Sequence, residues 1–283
     1  MTGWRKLAVI AGGGELPAQI IRACRERSAA CHVIRIAGFA DPVLGGDECG
    51  FGEAGKILRI LKDQNCDAAV FAGVVRRPDF AALKADWRGA AMLPKILAAA
   101  AKGDGALLQV VVDTVESEGV KVIGAEEALG SLKAPAGALG AVAPDESNLR
   151  DIAKAAALID ALGPFDVGQA AVVALGLTLA VEAAEGTDAM LERCAGLPLG
   201  VRGGGKSGVL VKKPKPGQEL RIDLPVIGPQ TIRNIAAAGL NGVAYEAERA
   251  LIIDRDSMVW LADEAGLFVY GFTQQDLRAA DAF

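Results

Sequence analysis

Short apolar segments alternate with helix-like segments through the first half of the chain, and this alternation restricts the folds that it can adopt. The strand-like runs are LAVIAG from Leu7, then CHVIRIAG, DAAVFAGVV and VKVIGAEE. The intervening segments have helical spacing or a helix-favouring composition. Strands that alternate with helices in this way are typical of parallel α/β sheets. We therefore expect an α/β fold with an amino-terminal Rossmann-like, doubly wound parallel sheet.

The second half of the chain has a different pattern, which predicts a separate mixed α/β domain. The segment LKAPAGALGAVAP consists largely of small residues, Gly and Pro, as a linker does. After it we expect a helix in DESNLRDIAKAAALIDALG, a hairpin about Gly176, a helix capped by Thr187, a strand in GVLVKK and an extended LRIDLPVIG. The predicted domains are residues 1–132 and 145–283, joined by a linker at 133–144.

The composition excludes several classes of protein. Hydrophobic residues make up 52% of the chain, but no stretch approaches the roughly 20 strongly apolar residues that a membrane-spanning helix requires. The 30 basic and 35 acidic residues give a net charge of −5, which argues against general nucleic-acid binding. The amino terminus has no signal-sequence pattern, so we expect a cytoplasmic protein. An odd number of scattered cysteines predicts reduced thiols: Cys24, Cys31, Cys49, Cys66 and Cys194.

A glycine turn follows the first predicted strand in KLAVIAGGGELP. In such a turn the backbone N–H groups and the helix amino terminus can approach a diphosphate. Gly12 and Gly14 fit the dinucleotide fingerprint, but Pro17 replaces its third glycine, and VIRIAGF offers no acid to bind a ribose. The turn therefore favours a nucleotide diphosphate other than a nicotinamide cofactor. A tight turn without a ligand is the alternative.

Two further segments of the first half are candidates for anion binding. Gly103 and Asp104 in KGDGALL open a predicted helix, where an anion can be captured, although Asp104 also suits an ordinary helix cap. Arg76 and Arg77 directly follow the third strand-like run. They would lie at the carboxyl edge of the sheet, where parallel sheets bind their ligands. A solvated surface position is the alternative for either arginine.

Carboxylates of the second half gather around one predicted strand-to-helix junction in VEAAEGTDAM. Glu182, Glu185 and Asp188 lie there together with the Thr187 hydroxyl, and hard oxygen ligands of this kind suit Mg²⁺. A solvated edge followed by a threonine cap and an acidic first turn is the alternative. The pattern alone does not choose between these two interpretations.

Asp223 is a separate acidic candidate in RIDLPVIG. It stands between Ile222 and Leu224, so strand alternation predicts that its side chain points away from those apolar neighbours. A carboxylate in that position can bind a metal or accept a proton from an attacking water. An ion pair with Arg221 is the alternative.

The basic residues and the single histidine limit the kinds of catalytic site that the chain can form. Lys206 in GGGKSG and the pair Lys212 and Lys213 in VLVKKPK can neutralise phosphate charge or be merely solvated. His32 is the only histidine, and its place at the start of the second strand-like run suits a structural role. A Ser-His-Asp triad, a histidine-rich zinc site and the histidine acid of a hydroxyacid dehydrogenase are therefore disfavoured.

Six stretches of the chain, taken in order, resemble one enzyme family over essentially the whole length. They are AGGGELP (11–17), FAGVVRRP (71–78), KGDGALL (102–108), DVGQAAVV (166–173), VEAAEGTDAMLERC (181–194) and RIDLPVIGPQTI (221–232). The chain resembles the UDP-2,3-diacylglucosamine pyrophosphatases of lipid A biosynthesis, of the type distinct from the calcineurin-like enzyme. One departure is Glu219, which stands where the family commonly has an aspartate.

The resemblance implies a reaction and its partners. The expected reaction is hydrolysis of the diphosphate of UDP-2,3-diacylglucosamine to UMP and 2,3-diacylglucosamine 1-phosphate, dependent on Mg²⁺ or Mn²⁺. An amino-terminal domain would bind the nucleotide, and a carboxyl-terminal domain would bind the acylated sugar. We also expect peripheral contact with the cytoplasmic face of the inner membrane, and we include a homodimer among the expected assemblies.

Site residues follow as a hypothesis from the same resemblance. The catalytic candidates are Asp223, Lys213 and Glu185, and the metal candidates are Asp223, Glu182 and Asp188. The substrate-binding candidates are Gly12, Gly13, Gly14, Leu16, Arg76, Gly103, Asp104, Gln169, Thr187 and Lys206. A nucleotide-sugar oxidoreductase and a non-catalytic UDP-sugar or lipid sensor are the competing functions, and release of UMP distinguishes hydrolysis from both.

Overall fold

A computed structural model describes residues 3–76, 84–130 and 133–280 of the chain. The chain forms two compact units. The first consists of Met1–Ser131 with Glu219–Ile222, and the second of Leu132–Gln218 with Asp223–Phe283. A four-residue segment from the second half of the sequence therefore belongs to the first unit. Each unit contains both helices and a sheet, which confirms the expected α/β class.

The sheet of the first unit is wholly parallel, as predicted. Its strand order is β3-β2-β1-β4-β5, so the chain moves outward from β1 in one direction and then in the other. The short strand β3 was not predicted from the sequence. The strands are β1 Lys6–Ala11, β2 Ala30–Ile36, β3 Asp47–Cys49, β4 Ala68–Ala72 and β5 Lys121–Val122.

Helices cover both faces of this sheet, which explains why its central strands are continuous apolar runs. β1 is buried from Leu7 to Ala11. α1 begins directly after the glycine turn and has Pro17 in its first turn, where a missing N–H removes no helical hydrogen bond. The helices are α1 Leu16–Glu26, α2 Ala54–Asp63, α3 Trp87–Ala100, α4 Asp104–Glu116 and α5 Ala125–Leu129.

The second unit has a mixed sheet with the strand order β6-β13-β11-β9-β7-β8. Its three central strands β9, β11 and β13 are parallel, whereas β6, β7 and β8 are antiparallel to their neighbours. The predicted hairpin about Gly176 is confirmed. The strands are β6 Gly137–Leu139, β7 Ala170–Ala174, β8 Leu177–Val181, β9 Val209–Lys212, β11 Gly242–Glu246 and β13 Phe268–Phe272, and a separate parallel pair consists of β10 Val226–Ile227 and β12 Leu251–Ile252.

Two helical layers enclose the second sheet. One apolar cluster joins Ile152 and Ile159 to the β9 residues Val209 and Val211. The cluster on the other face contains residues of three helices, among them Met190, Ile232 and Met258. The helices are α6 Glu146–Leu162, α7 Gly186–Ala195, α8 Pro229–Ala237, α9 Arg255–Glu264 and α10 Gln274–Ala280. Within residues 3–76, 84–130 and 133–280, no helix is long and apolar enough to cross a membrane.

Two local expectations were wrong. Residues 219–225 form a turn and a short irregular segment rather than an extended strand, and β10 begins only after Pro225. Ile222 packs against the apolar core of the first unit, which draws the chain away from a strand path. Thr187 is not a helix cap, because Gly186, with φ of +82°, is already the first residue of α7.

Candidate functional site

In the first unit, the glycine turn lies where the direction of the strand order reverses. β1 connects through α1 to β2 on one side, whereas β4 lies on the other side of β1. The carboxyl ends of β1 and β4 therefore border the crevice in which sheets of this type bind ligands. The glycine turn follows β1, and Arg76, which is exposed, follows β4. The structure brings these two candidates to one edge of the sheet, while Arg77 lies outside the described residues.

The glycines of the turn have different roles. The Gly12 N–H donates to the Ala72 carbonyl at 2.8 Å, and the Gly13 N–H donates to the Val74 carbonyl at 2.9 Å. A Cβ atom on Gly12 would lie only 2.8 Å from the Val74 oxygen. Gly14 is exposed, has φ of +87° and has open space around its Cβ position. The first two glycines therefore fasten the turn to the end of β4, and Gly14 is the one left open to a ligand.

The other candidates of the first unit lie at helix amino termini. The buried Leu16 is the first residue of α1, so a ligand at this point would meet its backbone rather than its side chain. Gly103, with φ of +126°, caps α4, and Asp104 is the first residue of that helix. An acidic residue in a first turn stabilises the helix dipole, so Asp104 has a structural role whether or not an anion binds there.

In the second unit, Glu182 lies just beyond β8 and is 7% exposed. One of its carboxylate oxygens accepts a hydrogen bond from the Thr187 hydroxyl at 2.8 Å, and the other accepts one from the Gln169 backbone N–H at 2.9 Å. The structure therefore brings together three of the candidates, Glu182, Thr187 and Gln169. Glu182 joins the beginnings of β7 and α7 through these two bonds.

Asp223 lies beside this group and is partly buried. The Gln218 side-chain amide donates to an Asp223 carboxylate oxygen at 2.7 Å and to the Gln169 side-chain oxygen at 3.0 Å. Burial raises the pKa of the Asp223 carboxyl, and the nearby negative charges of Glu182 and Asp166 raise it further. The Lys215 ammonium and the bond from Gln218 act in the opposite direction. A carboxylate whose pKa is raised is a stronger base, which suits proton transfer.

Lys212, the last residue of β9, faces the same carboxylates. It is 7% exposed, and its ammonium donates to the Val226 carbonyl at 3.1 Å. Burial lowers the pKa of Lys212, while the charges of Glu182, Asp188 and Asp223 oppose that shift. An ammonium group has three donors, so it can also bind an anionic ligand. We use the name carboxylate cluster for Gln169, Glu182, Thr187, Lys212, Gln218 and Asp223.

Lys213, the lysine selected from the sequence, points to the opposite face of the sheet. Its ammonium donates to both carboxylate oxygens of Asp160 on α6, each at 2.7 Å. Alternation along β9 places Lys213 on the side of Val211, toward α6, and Lys212 on the side of Leu210. The structure therefore does not bring Lys213 together with Asp223, two residues that the hypothesis paired as catalytic.

The remaining candidates of the second unit are engaged in other contacts. Glu185 is exposed and forms an ion pair with Arg193. The Lys206 ammonium donates to the carbonyls of Ala265 and Gly266 at 2.9 and 2.6 Å, just beyond the end of α9. Asp188 is exposed and accepts a hydrogen bond from Asn234 at 2.7 Å. Because its charge acts on Lys212, Asp188 borders the carboxylate cluster.

The carboxylate cluster suits a metal shared with a substrate better than an all-protein metal cage. Among the residues that the structure describes, no group of three or more His, Cys, Asp or Glu side chains is arranged to hold a metal ion. Both carboxylate oxygens of Glu182 already accept hydrogen bonds, whereas one Asp223 oxygen accepts none from the described residues. Mg²⁺ commonly takes one or two carboxylates and completes its shell with phosphate oxygens and water. The partly buried Asp223, with one oxygen that accepts no bond from the described residues, fits beside the water shell of such a cation.

Sequence reasoning missed Gln218 and did not choose Lys212. Gln218 holds Asp223 and Gln169 together, but a glutamine in KPKPGQEL carries no pattern that distinguishes it from a loop residue. Lys212 and Lys213 have the same sequence surroundings, and the choice between them depends on which helical layer covers each face.

His32 has the structural environment that was expected, because its Nε2 atom lies 2.8 Å from an Asp47 oxygen on the neighbouring strand.

Comparisons with known proteins agree over both halves of the chain. The model of the LpxI N-terminal domain matches residues 6–132, and the model of the LpxI C-terminal domain matches residues 135–270. One curated relative is the UDP-2,3-diacylglucosamine pyrophosphatase LpxI of Caulobacter vibrioides. The two sequences are 48% identical over 277 residues, which cover 96% of this chain and 99% of the relative.

Proposed function

This chain belongs to the LpxI family, and from that membership we propose that it hydrolyses UDP-2,3-diacylglucosamine in lipid A biosynthesis. The products are UMP and 2,3-diacylglucosamine 1-phosphate. Identity of 48% across almost the whole of both chains supports a shared reaction. The observation that carries the chemistry is the carboxylate cluster, in which the partly buried Asp223 and the buried Lys212 lie together.

Asp223 is the proposed general base. Its raised pKa makes the carboxylate a better acceptor for the proton of a water that attacks the diphosphate. Gln218 holds one carboxylate oxygen of Asp223, so the second oxygen remains available for that water. This role requires the ionised form of Asp223. Activity should therefore fall as the pH drops below the pKa of this group.

Lys212 is the proposed group that stabilises negative charge on the phosphoryl oxygens. Charge stabilisation by a preoriented cation is the main contribution that proteins make to phosphoryl transfer. Burial disfavours the charged form of Lys212, and Glu182, Asp188 and Asp223 favour it. Glu182 is in turn held by Gln169 and Thr187, so its role is to keep Lys212 charged and in place.

A divalent cation, Mg²⁺ or Mn²⁺, forms part of the proposal. The phosphates of the substrate would hold it, with Asp223 beside its coordinated water, and the charge of the cation would neutralise phosphate oxygens during hydrolysis. Removal of divalent cations with EDTA should abolish UMP release, and added Mg²⁺ or Mn²⁺ should restore it. Mn²⁺ binding measured by electron paramagnetic resonance in the presence of UMP gives a readout that is independent of turnover.

The first unit is the proposed site of the uridine nucleotide. Its glycine turn and Arg76 lie at the strand-order reversal, where sheets of this type bind nucleotides. Gly14 and the beginning of α1 would face the phosphates. The amino terminus of α4, with Gly103 and Asp104, is a second contact in this proposal.

Membrane contact and assembly complete the proposal. A substrate with two acyl chains resides in a bilayer, so we expect peripheral contact with the cytoplasmic face of the inner membrane. A homodimer stays a prediction, which light scattering can test. Neither an oxidoreductase nor a lipid sensor gains support from the family to which the chain belongs.

The decisive experiment compares two carboxylate variants of the second unit. Asp223→Asn keeps the side-chain shape and removes the base, so kcat for UMP release should fall by a factor of about 100 or more. Glu192→Gln, which changes an exposed carboxylate on α7, is the matched control and should keep the wild-type rate. A folded Asp223→Asn variant that retains more than about a tenth of the activity would exclude Asp223 as the general base.

A further inference from the structure

The tip of the β7–β8 hairpin carries an exposed leucine in a backbone conformation that leucine disfavours. Leu175 and Gly176 connect the two strands, with φ of +50° and +78°. Two consecutive residues with positive φ define a type I′ turn, for which Asn-Gly is the preferred sequence. Leu175 is nevertheless 63% exposed. A strained, exposed apolar residue points to a use outside the folding of this unit.

Helix α6 holds the tip in place. Asp151 is 3% exposed, and its two carboxylate oxygens accept hydrogen bonds from the backbone N–H groups of Leu175 and Gly176 at 2.9 and 2.7 Å. The Lys154 ammonium donates to the Gly176 carbonyl. A buried carboxylate is thus fully occupied in fixing this turn. The exposed leucine therefore stands on a rigid support.

Further exposed apolar side chains lie on the same hairpin and on a loop that approaches it. Leu177, the first residue of β8, is 51% exposed. The loop between α7 and β9 approaches the tip, because a Cβ atom on Gly203 would lie 2.7 Å from a methyl carbon of Leu175. Leu199 and Val201 of that loop are 60% and 43% exposed. We use the name apolar tip for Leu175, Leu177, Leu199 and Val201.

Cationic side chains flank the apolar tip. Arg150 and Lys154 on α6 line a cavity of about 390 Å³ together with Leu175 and Gly176. Arg150 is exposed and forms no ion pair with any residue that the structure describes. Asp151, which accepts bonds from two backbone N–H groups, supplies one negative charge to the same cavity, so the two cations leave it with an excess of positive charge. Apolar side chains beside an excess of positive charge are typical of surfaces that bind anionic lipid.

We propose that the apolar tip inserts into the surface of an anionic lipid bilayer, with Arg150 and Lys154 next to the headgroup phosphates. This inference rests on the proposed function, because an enzyme acting on a diacylated substrate must reach the membrane surface. A second copy of the chain is the competing occupant of the tip. The flanking cations favour the lipid, because they attract anionic headgroups, whereas a second copy docked through the same tip would bring Arg150 and Lys154 of both chains close together.

Vesicle partitioning of a Leu175→Asn variant tests the proposal. Asparagine suits the type I′ position better than leucine, so the variant should fold with an unchanged or higher Tm. Its partitioning onto phosphatidylglycerol-rich vesicles should fall roughly tenfold, because an apolar side chain no longer leaves water. Arg150→Gln should weaken binding about fivefold on these vesicles and should have little effect on neutral phosphatidylcholine vesicles. Val43→Thr, at an 82% exposed residue of the first unit, is the control and should bind as the wild type does.

Each alternative outcome has a defined meaning. Equal partitioning of Leu175→Asn and the wild-type chain would overturn the proposal, as would the absence of vesicle binding by the wild-type chain. A wild-type dimer that becomes monomeric with Leu175→Asn, in the absence of lipid, would assign the tip to self-association instead. Both proteins should hydrolyse detergent-solubilised substrate at equal rates. Lack of hydrolysis by both would refute the proposed function and leave the vesicle comparison valid.

Discussion

Two consecutive lysines offer a direct test of how the second unit works. Lys212 faces Asp223 and Glu182, whereas Lys213 forms a bidentate pair with Asp160 on the other face of the sheet. Replacing each lysine with methionine keeps most of the side-chain volume and removes the charge. The two variants should therefore fail in different ways, although the residues are adjacent in the sequence.

Lys212→Met should mainly affect turnover. Loss of one preoriented charge at a phosphoryl group typically lowers kcat by a factor of about 100 to 1,000, or about 3–4 kcal/mol of transition-state stabilisation. The folded state should be little destabilised, because burial already disfavours the ammonium. The remaining carboxylates would also lose a neighbouring positive charge. The pKa of Asp223 should consequently rise further.

Lys213→Met should mainly affect stability. It removes two charge-assisted hydrogen bonds from a side chain that is 5% exposed, while the Asp160 carboxylate is 46% exposed and can be rehydrated. We expect a loss of about 2 kcal/mol, which corresponds to a Tm decrease of about 4–8 °C. kcat should remain within about a factor of five of the wild-type value, since Lys213 does not face the carboxylate cluster.

The assay measures UMP release and thermal unfolding of both variants in parallel. A large loss of kcat in Lys213→Met with normal turnover in Lys212→Met would refute the assignment and restore the lysine chosen from the sequence. Loss of activity in both variants at unchanged Tm would show that the two faces of the sheet do not act independently.

Other predictions concern pH dependence and the glycine turn. Gln218→Leu removes a hydrogen bond that lowers the pKa of Asp223, so the acidic limb of the kcat/KM profile should move to higher pH; a shift to lower pH would contradict the proposed base. Gly12→Ala places a Cβ atom 2.8 Å from the Val74 oxygen and should cost about 1–3 kcal/mol of unfolding free energy, measured by urea denaturation. Gly14→Ala meets no atom within 4 Å, but its positive φ should cost about 1–2 kcal/mol of unfolding free energy, and the change should weaken UMP binding measured by calorimetry.

Much of the fold could be predicted from local pattern. The continuous apolar run of β1 and its neighbours indicates strands covered on both faces, and the regular alternation with helices indicates parallel connections. Gly176 correctly marked the hairpin. β3 was not predicted, because a three-residue strand with two exposed acidic residues lacks an apolar run.

The residues of the candidate site could be predicted only in part from the sequence. Glu182, Thr187 and Gln169 are all candidates from the sequence, and they lie together in the structure. Glu182 and Thr187 flank one strand-to-helix junction, which limits how far apart they can be, whereas Gln169 followed only from the family resemblance. Gln218 and Lys212 could not be selected in this way, because neither residue stands in a pattern that distinguishes it.

The sequence by itself determined the elements and the chemical types available: carboxylates, lysines and a glycine turn. The tertiary structure decided which of them meet. Adjacent strand residues point to opposite faces, so only the packing of helices on each face separates Lys212 from Lys213. Ile222 and Asp223 are adjacent in sequence but belong to different units, because the partly buried Ile222 side chain packs against the core of the first unit. Contacts between residues distant in the sequence determine both separations. Such contacts produce no periodic pattern in the local sequence, so they cannot be predicted from it.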